Sequence, residues 1–299
     1  MPSDEKTAVA LGSFDGLHKG HKSVIACALS YKERGFVPTV LLFDAHPLSV
    51  LKGEAPPEIL QKSLREEILS SSGVNTDYIS FLEISKLTPE EFFENIIIKK
   101  LNAGAVCCGE NYKFGKGAGG DTALLGKLCE RNGILFEAVP LVSFENEPVS
   151  STRIRNAVSS GEIEKANAML DREFSYKLKV EHGSSRGRNL GTPTVNQLFP
   201  ENFLIPKEGV YASAAVVDGT LFPAVTDIGT RPTFNGEGVR SETFIIGFEG
   251  DLYGKDIEIR LRTFLREEIR FESEKELTAQ IEKDAHTAEE NFLRGDTDV

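Results

Sequence analysis

Two histidines three residues apart, His18 and His21, end the segment Leu11-Gly12-Ser13-Phe14-Asp15-Gly16-Leu17-His18-Lys19-Gly20-His21, where an apolar run gives way to glycines ahead of a helical pattern. If a strand covers Thr7 to Leu11 and a helix begins near Lys19, both imidazoles lie at the helix mouth. Free backbone N–H groups and the positive end of the helix dipole favour anions there. Each imidazole can donate a hydrogen bond to phosphate, and the three-residue spacing lets both rings meet one polyphosphate. Gly20, between them, carries no side chain to obstruct a base or ribose. The chemistry implied is nucleoside triphosphate binding, with Gly12, Phe14, Asp15, Gly16 and Gly20 as the contacting loop. Taken alone, the segment also fits a tight Asp15-Gly16 turn followed by two surface histidines.

Three more segments carry compatible chemistry. Phe43-Asp44-Ala45-His46-Pro47 follows a strand pattern and offers an acid, Asp44, that could hold magnesium through an oxygen or a water. Gly109 to Asp121 is a glycine-rich loop with Asn111, Lys113 and Lys116 and the aromatics Tyr112 and Phe114, able to cradle phosphate or stack a planar ring. Ser150-Ser151-Thr152-Arg153-Ile154-Arg155 precedes a helix expected over Asn156 to Ser160, so hydroxyls, helix-start amides and guanidinium groups would converge on an anion. Plain helix capping with two solvated arginines is the simpler reading of that last segment.

A fifth segment lies in the second half of the chain. Gly183, Gly187 and Gly191 punctuate a basic stretch that ends in Thr192-Pro193-Thr194-Val195-Asn196, which reads as a phosphate loop followed by a magnesium clip. In an extended chain Thr194 and Asn196 project to one side, giving a hydroxyl and a carboxamide oxygen to one cation.

The elements that must hold these residues show two rhythms. Up to about Leu170, strand patterns (Ala8 to Gly12, Thr39 to Phe43, Tyr78 to Phe81, Ala105 to Gly109, Ile134 to Val139) alternate with helical ones (Lys22 to Arg34, Glu58 to Ser71, Pro89 to Leu101, Asp121 to Asn132). Alternation of this kind implies a parallel sheet covered by helices, with ligands beyond the C-terminal strand ends. From Tyr176 to about Arg262 short β segments follow one another without helices (Lys177 to Glu181, Gly209 to Val217, Leu221 to Asp227, Thr243 to Phe248, Asp256 to Leu261), the pattern of a small antiparallel barrel or sandwich. A charged tail from Ser273 to Leu293, with Leu277, Ile281, Ala285 and Ala288 as its apolar stripe, reads as a helix docked on that sheet.

The chain has 299 residues, enough for two domains with their own cores, which are placed at 1–172 and 173–299. Its net charge of -12 argues against nucleic-acid and anionic-membrane partners, both of which need a basic surface. Cys27, Cys107, Cys108 and Cys129 sit in apolar contexts without paired C-x-x-C spacing and read as core residues. No apolar run of about 18 residues and no basic-then-apolar leader occurs, so a cytoplasmic location is expected.

The ordered set closely resembles the adenylyltransferase domain of bacterial bifunctional riboflavin kinase/FAD synthetases. His18 and His21 match that family's H-x-G-H motif, and Ser151, Thr152 and Arg155 its S-T-x-I-R motif. The resemblance implies that Asn111 and its loop contact nucleotide and flavin, and that Asp44 is a metal-linked acid. In the second half, Gly191 to Asn196 matches the riboflavin kinase Gly-x-Pro-Thr-x-Asn motif, and further matches follow at Gly209 to Ala212, Ile228 to Thr233, Asp251 to Gly254 and Ile269 to Glu272.

A Rossmann-like nucleotidyltransferase domain, followed by a riboflavin-kinase-like β-barrel with a C-terminal helix, is therefore implied. The implied reactions are phosphorylation of riboflavin to FMN and adenylylation of FMN to FAD, using ATP and magnesium twice. Glu242 matches the acid of the kinase family and is the expected base. His18, His21 and Arg155 are expected to neutralise charge in adenylyl transfer. Asp227 stands where asparagine is frequent, Gly247 where an acid is common and Ala118 where a basic residue is. Loss of one of the two activities, a flavin-binding regulatory protein and a relative of class I aminoacyl-tRNA synthetases are the competing readings.

Overall fold

The computed structural model describes residues 5–181, 194–233 and 236–295. Packing divides the chain into two compact units, one formed by residues up to Pro56 and by Lys62–Ser151, the other by Pro57–Gln61 and everything from Thr152 on.

In the first unit five parallel strands lie in the order β3-β2-β1-β4-β7, with β1 Thr7–Leu11, β2 Val37–Phe43, β3 Asn75–Ile79, β4 Ala103–Gly109 and β7 Leu135–Val139. The central strands are apolar without alternation because helices cover both faces; Ala8, Val9 and Ala10 of β1 are fully buried. The covering helices are α1 Lys19–Ser30, α2 Pro47–Lys52, α3 Lys62–Ser71, α4 Phe81–Ile84, α5 Pro89–Phe92, which runs on as a π-helix through Lys100, and α6 Thr122–Arg131. Two short hairpins complete the unit, β5 Lys113–Phe114 with β6 Gly120–Asp121, and β8 Ser143–Phe144 with β9 Glu147–Pro148. Chain direction reverses its progress across the sheet at β1, whose neighbours are β2 and β4. Ligands bind at such a switch point, beyond the C-terminal strand ends.

The third strand lies earlier than the expected Tyr78 to Phe81. The Asp44 carboxylate accepts the Phe81 N–H at 3.1 Å and Phe81 opens α4, so pairing stops at Ile79. Helix α3 begins at Lys62 rather than Glu58. Glu58 uses its backbone in a parallel bridge to Phe203, with the Glu58 N–H donating to the Asn202 carbonyl at 2.7 Å and the Leu204 N–H to the Glu58 carbonyl at 3.0 Å.

The second unit holds α7 from Thr152 onward (Ser151–Ser160), α8 Ile163–Leu170 and an antiparallel sheet in the order β10-β15-β12-β13-β14-β11. Its strands are β10 Phe174–Lys179, β11 Thr194–Leu198, β12 Gly209–Val217, β13 Thr220–Thr233, β14 Gly236–Ile245 and β15 Asp256–Arg266. The sheet curls until Glu181, just past β10, bridges Asn196 of β11. Strand β14 ends at Ile245, short of the expected Phe248, because Gly247 turns the chain with φ +74°. Helix α9, Glu274–Gly295, packs on β12 and β13.

Inside the barrel a hydroxyl row replaces part of the apolar core. Ser213, Thr226 and Thr243 are fully buried and joined at 2.8 and 2.9 Å, and the Gln197 amide donates to the carbonyls of Leu178 and Ile257. Helix α8 is tied to the sheet by Asn167, which donates to the Leu261 carbonyl and accepts the Phe174 N–H.

Candidate functional site

The β1–α1 connection is built from left-handed backbone. Phe14, Gly16 and Leu17 have φ of +50°, +80° and +45°. For the two non-glycine residues this costs on the order of 1 kcal/mol each. Phe14 and Leu17 are fully buried, and burial of such side chains contributes about 2 kcal/mol or more apiece, so packing outweighs the strain. The result delivers His18 to the N-cap of α1.

The His18 Nδ1 accepts the His21 N–H at 3.3 Å, which places the imidazole proton on Nε2. The two rings stack with centroids 3.7 Å apart and planes 14° apart, and the Phe14 ring lies 5.3 Å from His21. A Cβ at Gly20 would sit 3.3 Å from the His18 ring. Gly20 thus clears space for His18 itself, and a Cβ at Gly12 would similarly press on the Phe14 ring at 3.2 Å.

Burial holds His18 at a pKa of about 4, and burial together with His18 holds His21 well below the usual histidine range. Both imidazoles are thereby held toward the neutral form, which keeps one N–H donor on each ring.

Around the same sheet edge, the Asp15 carbonyl accepts the Ser151 hydroxyl at 3.1 Å. Asp15 is itself buried. Asp44 follows β2, with its Oδ1 on the Phe81 amide. Asn111 follows β4, its carboxamide folded back toward Gly109, where a Cβ would lie 3.2 Å from Asn111 Oδ1. Phe114 is buried in the core and the Tyr112 ring stacks on it with centroids 6.1 Å apart.

The S-T-x-I-R residues do not precede a helix; Ser151 opens α7 and Thr152 and Arg155 lie within it, in the second unit. The exposed Thr152 and partly buried Arg155 are on the first turns, and Arg155 Nε donates to the Pro57 carbonyl at 2.9 Å.

In the barrel, Gly183, Gly187 and Gly191 lie outside the described residues. Thr194 and Asn196 share one face of β11, with Asn196 Nδ2 3.5 Å from Thr194 Oγ1. Asn196 is directly opposite Glu242 on β14, and Glu242 is directly opposite Asp227 on β13. Directly opposed residues of an antiparallel pair point to the same side. The row Asn196, Glu242, Asp227 therefore sits on one face, with Thr194 one step along it. Hydroxyl, carboxamide and carboxylate oxygens are the hard donors that a magnesium-sized cation takes. Among the described residues no group of three or more His, Cys, Asp or Glu side chains could hold a metal by itself.

Two features have no motif to mark them. Asp227 facing Glu242 depends on strand register, and the docking of Pro57–Gln61 in the second unit depends on long-range pairing. Only the Pro56-Pro57 dipeptide, which favours extended backbone, hints that the helix starts later than Glu58.

Comparison with known proteins assigns a family to each half of the chain. The FAD synthetase family profile matches residues 1–153 and the riboflavin kinase profile residues 170–292. The bifunctional riboflavin kinase/FMN adenylyltransferase of Listeria monocytogenes is 34% identical, over 98% of this chain and 94% of its own. The enzyme of the same name from Bacillus subtilis is 34% identical (95% and 92%), and that from Escherichia coli K12 is 31% identical (96% and 93%). A solved structure from Streptococcus pneumoniae superposes with a TM-score of 0.88 at 29% identity, over 97% of this chain and 95% of that one. It is described as a macrolide-efflux protein; among the described residues of the present chain no helix is long and apolar enough to cross a membrane.

Proposed function

Since the chain belongs to the bifunctional riboflavin kinase/FMN adenylyltransferase family, we propose that His18, His21, Ser151, Thr152 and Arg155 carry adenylyl transfer and that Thr194, Asn196 and Glu242 carry the kinase step. The protein converts riboflavin to FMN in its C-terminal part and FMN to FAD in its N-terminal part, with ATP as donor in both. The catalytic division is drawn at 172/173. The cytoplasm is the proposed location, tested by assaying both activities across cell fractions.

In adenylyl transfer an FMN phosphate oxygen attacks the α-phosphorus of ATP and pyrophosphate leaves. The nucleophile is already anionic, so the site needs donors and positioning instead of a base. His18 and His21 offer neutral N–H donors to the polyphosphate, a role supported for His18 by the His21 backbone N–H to His18 Nδ1 bond that fixes the His18 tautomer. Arg155 supplies the permanent positive charge. Gly12, Phe14, Asp15, Gly16, Gly20 and Asn111 shape the nucleotide and flavin pocket.

Phosphorylation of riboflavin starts from an alcohol, which must lose a proton as it attacks the γ-phosphorus. Glu242 accepts that proton. The supporting observation is its register, directly opposite Asn196 and next to Thr194 on the same face. Thr194 and Asn196 hold a divalent cation there, for which magnesium is proposed, with Asp44 serving the other site. When bound, the cation offsets the charge on the transferring phosphoryl group. Gly183, Gly187 and Gly191 provide the loop for the ATP phosphates.

Chromatographic product analysis tests the assignments. Wild type with ATP and magnesium should make FAD from riboflavin and from FMN. Glu242→Gln should slow FMN formation roughly 10²–10⁴-fold and leave FMN-to-FAD conversion intact. Equal kinase rates in wild type and E242Q would remove Glu242 from the mechanism.

A further inference from the structure

Pro57–Gln61 interrupts the first unit in sequence yet belongs to the second in space. Ile59 and Leu60 of this segment are buried to within 2% of full burial. Both backbone groups of Glu58 are bonded, to Asn202 and Leu204, and the Gln61 carboxamide clasps Lys177 of β10 at both ends. Its Nε2 donates to the Lys177 carbonyl at 3.0 Å and its Oε1 accepts the Lys177 N–H at 2.6 Å. A side-chain amide here reproduces a two-bond strand pairing.

What this clasp holds in place is the Pro57 carbonyl, and that carbonyl accepts the Nε–H of Arg155 at 2.9 Å. A guanidinium is planar and rigid, so one bond at Nε sets the plane in which its other N–H groups lie. A segment pinned at Glu58 and Gln61 has little freedom to shift Pro57, because Ile59 and Leu60 between the two pins are buried. From β10 to the arginine the path runs Lys177, Gln61, then through the three residues Leu60, Ile59 and Glu58 to Pro57 and Arg155.

We propose that Gln61 is a positioning residue for adenylyl transfer, acting through the Pro57 carbonyl on Arg155; this rests on the reading of Arg155 as a polyphosphate contact. Gln61 touches no reacting atom in this scheme. Its effect is confined to how well Arg155 is aimed, so its loss matters only while the guanidinium is there to be aimed.

A double-mutant cycle in the full-length protein tests it, with FAD formation from FMN as the readout. Arg155→Ala is expected to lower kcat/KM by about 100-fold or more and Gln61→Ala by roughly 10-fold. The double variant should be no slower than Arg155→Ala. Q61A is also expected to form FMN from riboflavin at the wild-type rate, which reports an intact barrel. If Q61A does not fold, Q61E takes its place, since it can still accept the Lys177 N–H but no longer donates.

Three results overturn the proposal. Gln61 variants that adenylylate FMN as fast as wild type remove its role. Losses that multiply in the double variant show that Gln61 acts independently of Arg155. An Arg155→Ala enzyme of wild-type activity removes Arg155 as a phosphate contact, which identifies the underlying reading as the one at fault.

Discussion

Neutral imidazoles at the mouth of α1 have a consequence for pH. His18 titrates at about 4 in the folded chain against 6.5 when exposed, so between those values the unfolded state binds more protons. Stability therefore rises with pH through that window and is lost as pH falls from about 6.5 to about 4. The contribution is on the order of 3 kcal/mol when complete. Urea denaturation at pH 7 and pH 5 should show a larger acid loss for wild type than for His18→Asn, in which asparagine retains the N-cap. Equal losses would mean that His18 is not held neutral.

Elements matter through the way they are pinned. Helix α9 lies on the barrel through Asp284, which receives Arg266 Nη2 at 2.8 Å and Nε at 3.1 Å, with Gln280 Nε2 at 2.8 Å. The Asp284 side chain is 7% exposed and Arg266 22%, so removal of the carboxylate strands a largely dehydrated guanidinium. Asp284→Ala should destabilise the second unit by about 3 kcal/mol, the lower end for a broken buried pair because Arg266 keeps its bond to the Glu267 carbonyl. Thermal loss of riboflavin kinase activity measures it. An unchanged midpoint would mean that apolar packing alone docks the helix. The glycine-rich loop is pinned more tightly. Gly115 has φ +73°, and a Cβ there would come 2.8 Å from the Pro89 nitrogen, so no other residue fits without moving the start of α5.

For the molecule as a whole, two activities on one chain need not require one chain. Glu242→Gln lacks the proposed base and His21→Ala lacks a proposed phosphate donor, so neither alone should make FAD from riboflavin at a normal rate. Mixed, they should make it after a lag while FMN accumulates, because FMN formed by one molecule can serve another. Time-resolved chromatography of riboflavin, FMN and FAD checks this. Absence of FAD from the mixture would mean that FMN does not leave the molecule that makes it.

Much of this protein is legible in the order of its residues. Alternating and helical periodicities reveal a parallel α/β part followed by an antiparallel barrel, because which residues can face a core is a local property of strand and helix geometry. The H-x-G-H, S-T-x-I-R and Gly-x-Pro-Thr-x-Asn segments reveal the family for the same reason, since residue types and spacing are written in neighbouring positions. Folding adds what depends on residues far apart. Burial makes His18 and His21 neutral, register brings Asp227 opposite Glu242, and pairing with Phe203 and Lys177 converts Glu58 to Gln61 from expected helix into a barrel segment that holds Arg155. Desolvation and strand pairing arise only when distant stretches of chain exclude water between them, and no local pattern encodes which stretches those will be.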